Sequence, residues 1–317
     1  MGYKPKLAIL AALALVLIVL FMVVGANGNW DYILPSRGKK LFAIVLTGAA
    51  IAFATMVFQT ITNNRILTPS ILGLDSLYML LQTSFIFFLG STSQALLNRE
   101  LNFLLSVAMM VFFSFVLYKL LFKREGPNDI YFLLLIGIIC GTFFSSLSSF
   151  MQMVIDPNEF MTIQDRMFAS FNNVNTDILW LSALLLLLCS LYFLRFSKYL
   201  DILSLGRDHA VNLGVPYDHV VKRLLVIIFV LIAIATALVG PITFLGLLVA
   251  NVAHEFLKTY KHGALIIGSV LISVIALVGG QFIVERVFTF STTVSVIINF
   301  IGGVYFIYLL LRRNKAW

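Results

Sequence analysis

Charge is what this sequence has least of. Only 11% of its 317 residues are Asp, Glu, Lys or Arg, against about a quarter in a soluble globular domain, which excludes an ordinary water-solvated surface. Cysteine is nearly absent too. Cys140 and Cys189 each lie inside an apolar run with no partner at disulfide or metal-ligand spacing, so both read as packing residues. No G-x-x-x-x-G-K-[ST] segment occurs, and the chain therefore does not cradle nucleotide phosphates itself. No second His follows His254-Glu255 at zinc-protease spacing, while His209, His219 and His262 stand far apart in predicted connections and read as solvated or interfacial. Neither a metal site nor the clustered residues of a membrane enzyme are expected, nor any cofactor. Charges inside the apolar runs are also scarce, Asp75 being the main one. Each costs about 2.5–3.5 kcal/mol to insert, so a proton or sodium relay, and with it a channel or secondary carrier acting alone, has little to work with.

Apolar residues make up 61% of the chain. A bilayer core of roughly 30 Å needs about 20 of them per helix. Runs of that kind fall at 7–24, 41–62, 71–89, 101–122, 130–150, 177–196, 220–239, 242–257, 264–284 and 294–311. The first is too long for a signal-peptide core, and Gly25-Ala26-Asn27 is a poor cleavage site. The expectation is an all-α integral membrane protein of about ten transmembrane helices, one transmembrane domain over 1–317.

Alternating sides from a cytoplasmic N-terminus places Lys4, Lys6, Arg65, Lys119, Lys123, Arg124, Arg195, Lys198, Arg207, Lys222, Arg223, Lys258, Lys261, Arg312, Arg313 and Lys315 inside. Arg37, Lys39, Lys40, Arg99, Arg166 and Arg286 fall outside, six of the 22 cations. That asymmetry is what the positive-inside rule requires, and it puts both termini in the cytoplasm. Lys and Arg here speak of membrane orientation, not of nucleic acid.

Two spans are irregular. Pro69 stands at the mouth of one run, and Gly240-Pro241 breaks another and opens a short one. Broken backbone at membrane depth survives only inside protein or beside a water-filled cavity, so these breaks mark either a translocation path or packing kinks. Asp75 lies in the first turns after Pro69, where the positive end of a helix favours a carboxylate. Ser145, Ser148, Ser149 and Gln152 share a helical face and read as close-packing residues ahead of pore lining. The long outer connection 151–176 carries apolar Phe160, Met161, Met167, Phe168 and Phe171 at spacings that predict a short helix on the outer surface.

Four stretches in order resemble the FecCD-type permeases of ABC importers for ferric siderophores, haem and vitamin B12. Arg37, Lys40, Gly48-Ala49-Ala50-Ile51-Ala52, Gln59, Asn64, Ile66, Pro69, Leu72 and Gly73 meet the pattern R-x-x-[RK], G-A-x-x-A, Q-x-x-x-x-N-x-[LI]-x-x-P-x-x-L-G without a gap. Residues 203–215 read L-x-L-G-x-x-x-A-x-x-L-G-V, in which two glycines bracket a short helix of about seven residues. Gly240-Pro241-Ile242-Thr243-Phe244-Leu245-Gly246-Leu247 is similar to G-P-I-x-F-[LVI]-G-L. Ala250-Asn251 departs from the usual Pro-His, and Gly302-Gly303 from the Gly-Ala-Pro of many relatives.

The resemblance implies a type II ABC importer permease fold and a cytoplasmic loop, 199–216, that docks on a separate ATPase through Leu205, Gly206, Arg207, Asp208, His209, Ala210, Asn212, Leu213 and Gly214. It implies that Arg37, Lys40 and Arg286 meet acidic residues of a substrate-binding lipoprotein or periplasmic protein. Gln59, Asn64, Pro69, Gly73, Gly240, Pro241 and Asn251 would line the path or gate. A second, different permease is the expected partner in a bacterial plasma membrane, with a ferric siderophore of catecholate or petrobactin type as cargo. A permease for vitamin B12, haem or a metal ion is the alternative.

Overall fold

The computed structural model describes residues 2–25, 28, 30–90, 98–122, 130–172 and 175–313. Ala26, Asn27, Lys123, Arg124 and Lys315, used in the sequence reading, lie outside them. The described chain is helical throughout: α1 (Tyr3–Val23), α2 (Trp30–Thr62), a 3-10 turn (Pro69–Leu72), α3 (Leu74–Leu89), α4 (Arg99–Phe122), α5 (Ile130–Val154), α6 (Pro157–Met167) and α7 (Thr176–Leu194). A second 3-10 turn (Ser197–Tyr199) leads into α8 (Leu200–Leu203) and α9 (Arg207–Asn212), followed by α10 (Tyr217–Val239), α11 (Leu245–Leu257), α12 (His262–Arg286) and α13 (Val294–Arg313).

Eight of these are long and apolar enough to cross a bilayer, and two shorter apolar helices, α3 and α11, make up the expected ten. Burial sorts them. The spans of α2 and α10 are 72% buried, against 22% for α4, α5 and α13. The buried pair pack on each other, and α2 is further enclosed by α12, α11 and α7. Lipid supplies no hydrophobic drive for helices to associate, so a buried, polar-dotted α2 carrying Thr47, Thr55, Gln59 and Thr62 is the natural hub, while apolar-all-round helices such as α7 and α13 take the periphery.

One boundary differs from the expectation. The outer connection before residue 41 is helix: α2 begins at Trp30 and runs through Pro35, so Arg37 and Lys40 stand on a helix rather than in a loop. Pro35 is the sixth residue of the helix and lacks the N–H that would bond the Asp31 carbonyl, so contacts to α1 and α12 hold the extension. The predicted surface helix is α6, capped by Asp156, whose side chain accepts from Asn158 N at 2.8 Å. It packs on α3, with Ile163 fully buried.

Candidate functional site

The 199–216 segment is built as a knob. Gly206 (φ +94°) and Gly214 (φ +79°) stand in the backbone region that side chains disfavour, and between them α9 makes under two turns. The Leu213 N–H donates to His209 O at 3.0 Å and the Val215 N–H to Ala210 O at 3.0 Å, closing the end of the helix. Ala210 is fully buried and anchors it, whereas Leu205, Val211 and Leu213 are 55%, 51% and 62% exposed. Arg207 sits over the Tyr217 ring and 3.9 Å from Asp218, contacts weak enough in exposed positions to yield to a partner. Asp208, His209 and Asn212 point into solvent.

The knob is tied to the body through residues that the sequence did not single out together. Asp201 accepts from His262 N at 2.9 Å and meets His262 Nδ1 at 2.6 Å. His262 is therefore not the solvated residue expected: its side chain is 7% exposed. Its spacing of 61 residues from Asp201 gives no local signal.

The seven expected path residues fall into two groups rather than one. In the first, Gln59 Nε2 and Asn251 Nδ2 both donate to the Arg65 carbonyl, at 2.6 and 2.9 Å. Asn64 shapes the same loop by accepting from Ile66 N at 3.0 Å. This knot joins α2 to α11, and the Asn63 side chain beside it reaches within 3.7 Å of where a Cβ on Gly206 would stand. The knob and the knot are thus neighbours.

The second group holds the two broken spans. Gly73 (φ +80°) presses on α5 so closely that a Cβ there would lie 2.9 Å from the Gly141 backbone. Gly240 turns against Ala169, and the Ser170 N–H donates to Val239 O. Pro69 and Pro241 each sit inside these turns. The two breaks meet at Asp75, which accepts from Thr236 Oγ1 at 3.4 Å, while its Oδ2 is buried without a hydrogen-bond partner.

The three expected docking cations converge from remote sequence on one corner. Arg37 Nη1 donates to the Phe21, Met22 and Val24 carbonyls at 2.8, 2.8 and 2.9 Å. Arg286 donates to Val24 O as well. Together they satisfy the last carbonyls of α1, orphaned as at any helix end. Lys40 pairs with Glu285 at 2.9 Å, and Gln281 donates to the same carboxylate at 2.8 Å. A cavity of about 310 Å³ lies beside them, lined by Asp31, Lys39, Lys40 and Asn172 among others.

The serines on α5 divide. Ser148 bonds Thr83 at 2.9 Å and Gln152 donates to Ser148 at 3.0 Å, which is the packing role expected of them. Thr142, Ser145, Ser146 and Ser149 are exposed, with Phe143 and Phe150 beside them more than 60% exposed. A network the sequence did not single out joins Arg166 of α6 to Gln82, and Gln82 to Asn102 and Ser106 at 3.1 and 2.9 Å.

The described residues form a many-spanning helical body with broken spans and an exposed knob, and hold no group of three or more His, Cys, Asp or Glu placed to bind a metal ion. Residues 7–312 match the FecCD transport family, and the chain belongs to it. It is 66% identical over 317 residues, all of both chains, to the petrobactin import system permease protein YclO of Bacillus subtilis. With FatC of Bacillus anthracis, a petrobactin import system permease protein, it shares 36% over 89% of this chain and 79% of that one. With FatD of the same organism, also a petrobactin import permease, it shares 28% over 98% and 92%. The fold superposes on a metal-chelate-type ABC transporter in an inward-facing conformation with a TM-score of 0.83, covering 98% of this chain and 99% of that one at 24% identity. The relatives are transport permeases rather than enzymes, and so is this chain.

Proposed function

We propose that this protein is one of two different permease subunits of an ATP-driven importer that carries a ferric siderophore of the petrobactin class into a bacterial cytoplasm. The observation that carries the reading is the knob: a glycine-bracketed helix with three exposed apolar side chains on it and beside it. The identity to YclO over the full chain supports the cargo, and the existence of a FatC and a FatD in one organism supports an unlike pair. Both termini and the 199–216 loop then face the cytoplasm, in keeping with the Lys and Arg distribution.

In this mechanism the ATPase pushes α9, and Asn63 hands the displacement to the Gln59–Arg65–Asn251 knot, which links α2 and α11. The two broken spans that meet at Asp75 give the bundle places to bend. The exposed hydroxyl face of α5 borders the path and the second permease, since hydroxyls at 142, 145, 146 and 149 suit water or protein better than lipid. Outside, Arg37 and Arg286 are bonded to neutral carbonyls and keep their charge, so their field, with that of Lys39, guides an acidic delivery protein. Lys40 contributes less because Glu285 offsets it. Such steering weakens with salt.

The test is uptake of radiolabelled iron in a permease-deletion strain complemented with this gene and its partners. Ferric petrobactin is taken up, ferric hydroxamates and vitamin B12 are not, and uptake stops without the ATPase. Uptake that survives loss of the ATPase defeats the proposal.

A further inference from the structure

We propose that the pocket where α7 meets α10 binds the phosphate headgroup of an anionic phospholipid, clamping both ends of the 199–216 loop. The cavity measures about 480 Å³ and is lined by Arg195, Lys198 and Arg223, with His219, Tyr192 and Tyr199. No Asp or Glu is among the lining residues, and none of the three cations has a carboxylate as salt-bridge partner among the described residues. Lys198 lies 5.0 Å over the Tyr199 ring. Three like charges around one concavity repel each other until an anion enters, and basic pockets between membrane helices suit lipid headgroups.

The helix above the pocket supplies what a tail needs. Leu184, Leu188 and Leu191 are 53%, 54% and 55% exposed on α7, and Arg195 follows at the next step of the same face, since residues three and four apart are stacked on a helix. A headgroup at Arg195 therefore has its acyl chains along this leucine stripe. Tyr192 and Tyr199 stand at the junction, where amphipathic rings prefer to sit. A soluble protein could contact the cations but not the stripe, which continues up a membrane span.

The placement has a mechanical meaning. Arg195 and Lys198 lie just before the loop, and Pro216, His219 and Arg223 just after or at its end. One bound phosphate thus braces the entry and the exit of the knob. That consequence rests on the coupling role proposed above, whereas the binding itself does not.

The experiment titrates the purified full-length chain in detergent with dioleoylphosphatidylglycerol and reads melting temperature and lipid retained in native mass spectra. Phosphatidylcholine and millimolar inorganic phosphate serve as the other arms. Phosphatidylglycerol is expected to raise the melting temperature, and the two other arms are not. Arg223→Gln should weaken the lipid roughly fivefold, and Arg195→Gln with Lys198→Gln and Arg223→Gln roughly a hundredfold. The single variant keeps the test alive where the triple one fails to fold. Unchanged lipid affinity in the variants overturns the proposal, as does an equal shift from inorganic phosphate, which would make this a small-anion site. A triple variant that loses the ATPase yet keeps its lipid marks a protein contact and also overturns it. Because the readout uses the isolated chain, it stands whether or not siderophore uptake does.

Discussion

The two charged regions at opposite ends of the bundle are built on opposite plans. At the outer corner, cations are consumed by the fold: Arg37 and Arg286 close the carboxyl end of α1 and Lys40 pairs with Glu285. At the knob, side chains are left over: Val211 stands exposed on a helix anchored by a single alanine, and Leu205 and Leu213 stand exposed on either side of it. The first region does structural work while projecting a field, and its residues cannot be altered without disturbing three helices. The second presents surface that the monomer does not use, so its residues can be altered with little effect on folding.

Substitution can break this contrast. The largest effect is expected from Val211→Asp combined with Leu213→Asp. If each contributes about 2 kcal/mol to ATPase association, as buried interface anchors do, co-purification falls roughly a thousandfold and uptake disappears. Melting temperature in detergent stays near that of the parent chain, as for surface changes within about 0.5 kcal/mol. A large drop in melting temperature would erase the distinction between the two regions.

Next comes Arg37→Gln, which leaves the Phe21 and Met22 carbonyls short of a charged donor, while Val24 O keeps Arg286. Hydrogen bonds to charged groups contribute about 1.5–3 kcal/mol, and a net loss of about 2–4 kcal/mol is expected in denaturant unfolding. A stable variant deficient only in delivery-protein binding would show that the outer corner follows the same plan as the knob. A double-mutant cycle on Lys40 and Glu285, largely buried and in contact, should give a coupling of about 1 kcal/mol, with little change in the salt dependence of docking. Smallest is Asp201→Asn, at about 1 kcal/mol or less because the carboxylate is half exposed, read as a lower unfolding midpoint. His262 should exchange its ring protons faster in the same variant.

Sequence patterning carried the ten spans because each is a single apolar run, and it carried the knob because Gly206 and Gly214 are local signals for positive φ. It also carried α6, whose Asp156-Pro157 start is a helix cap and first turn in adjacent letters. Three things were not legible. The helical start of α2 was hidden by Pro35 and by Arg37, which read as a loop until α1 supplies its carbonyls. The Asp201–His262 bond and the Lys40–Glu285 pair join residues 61 and 245 positions apart, and no period in a sequence encodes that. The path residues separated into two groups because Gln59 near the end of α2 and Asn64 in the loop after it are close in sequence, while only the tertiary fold brings Asn251 to them and Gly240 to the neighbourhood of Asp75.

The most direct test is a cross-link. With Cys140 and Cys189 replaced by Ser, Leu213→Cys in membranes co-expressing the ATPase should form a disulfide or short-linker adduct with that subunit, in an amount that changes when ATP is bound. Absence of the adduct at Leu213 together with undiminished ATP-coupled uptake would contradict the assignment of the knob.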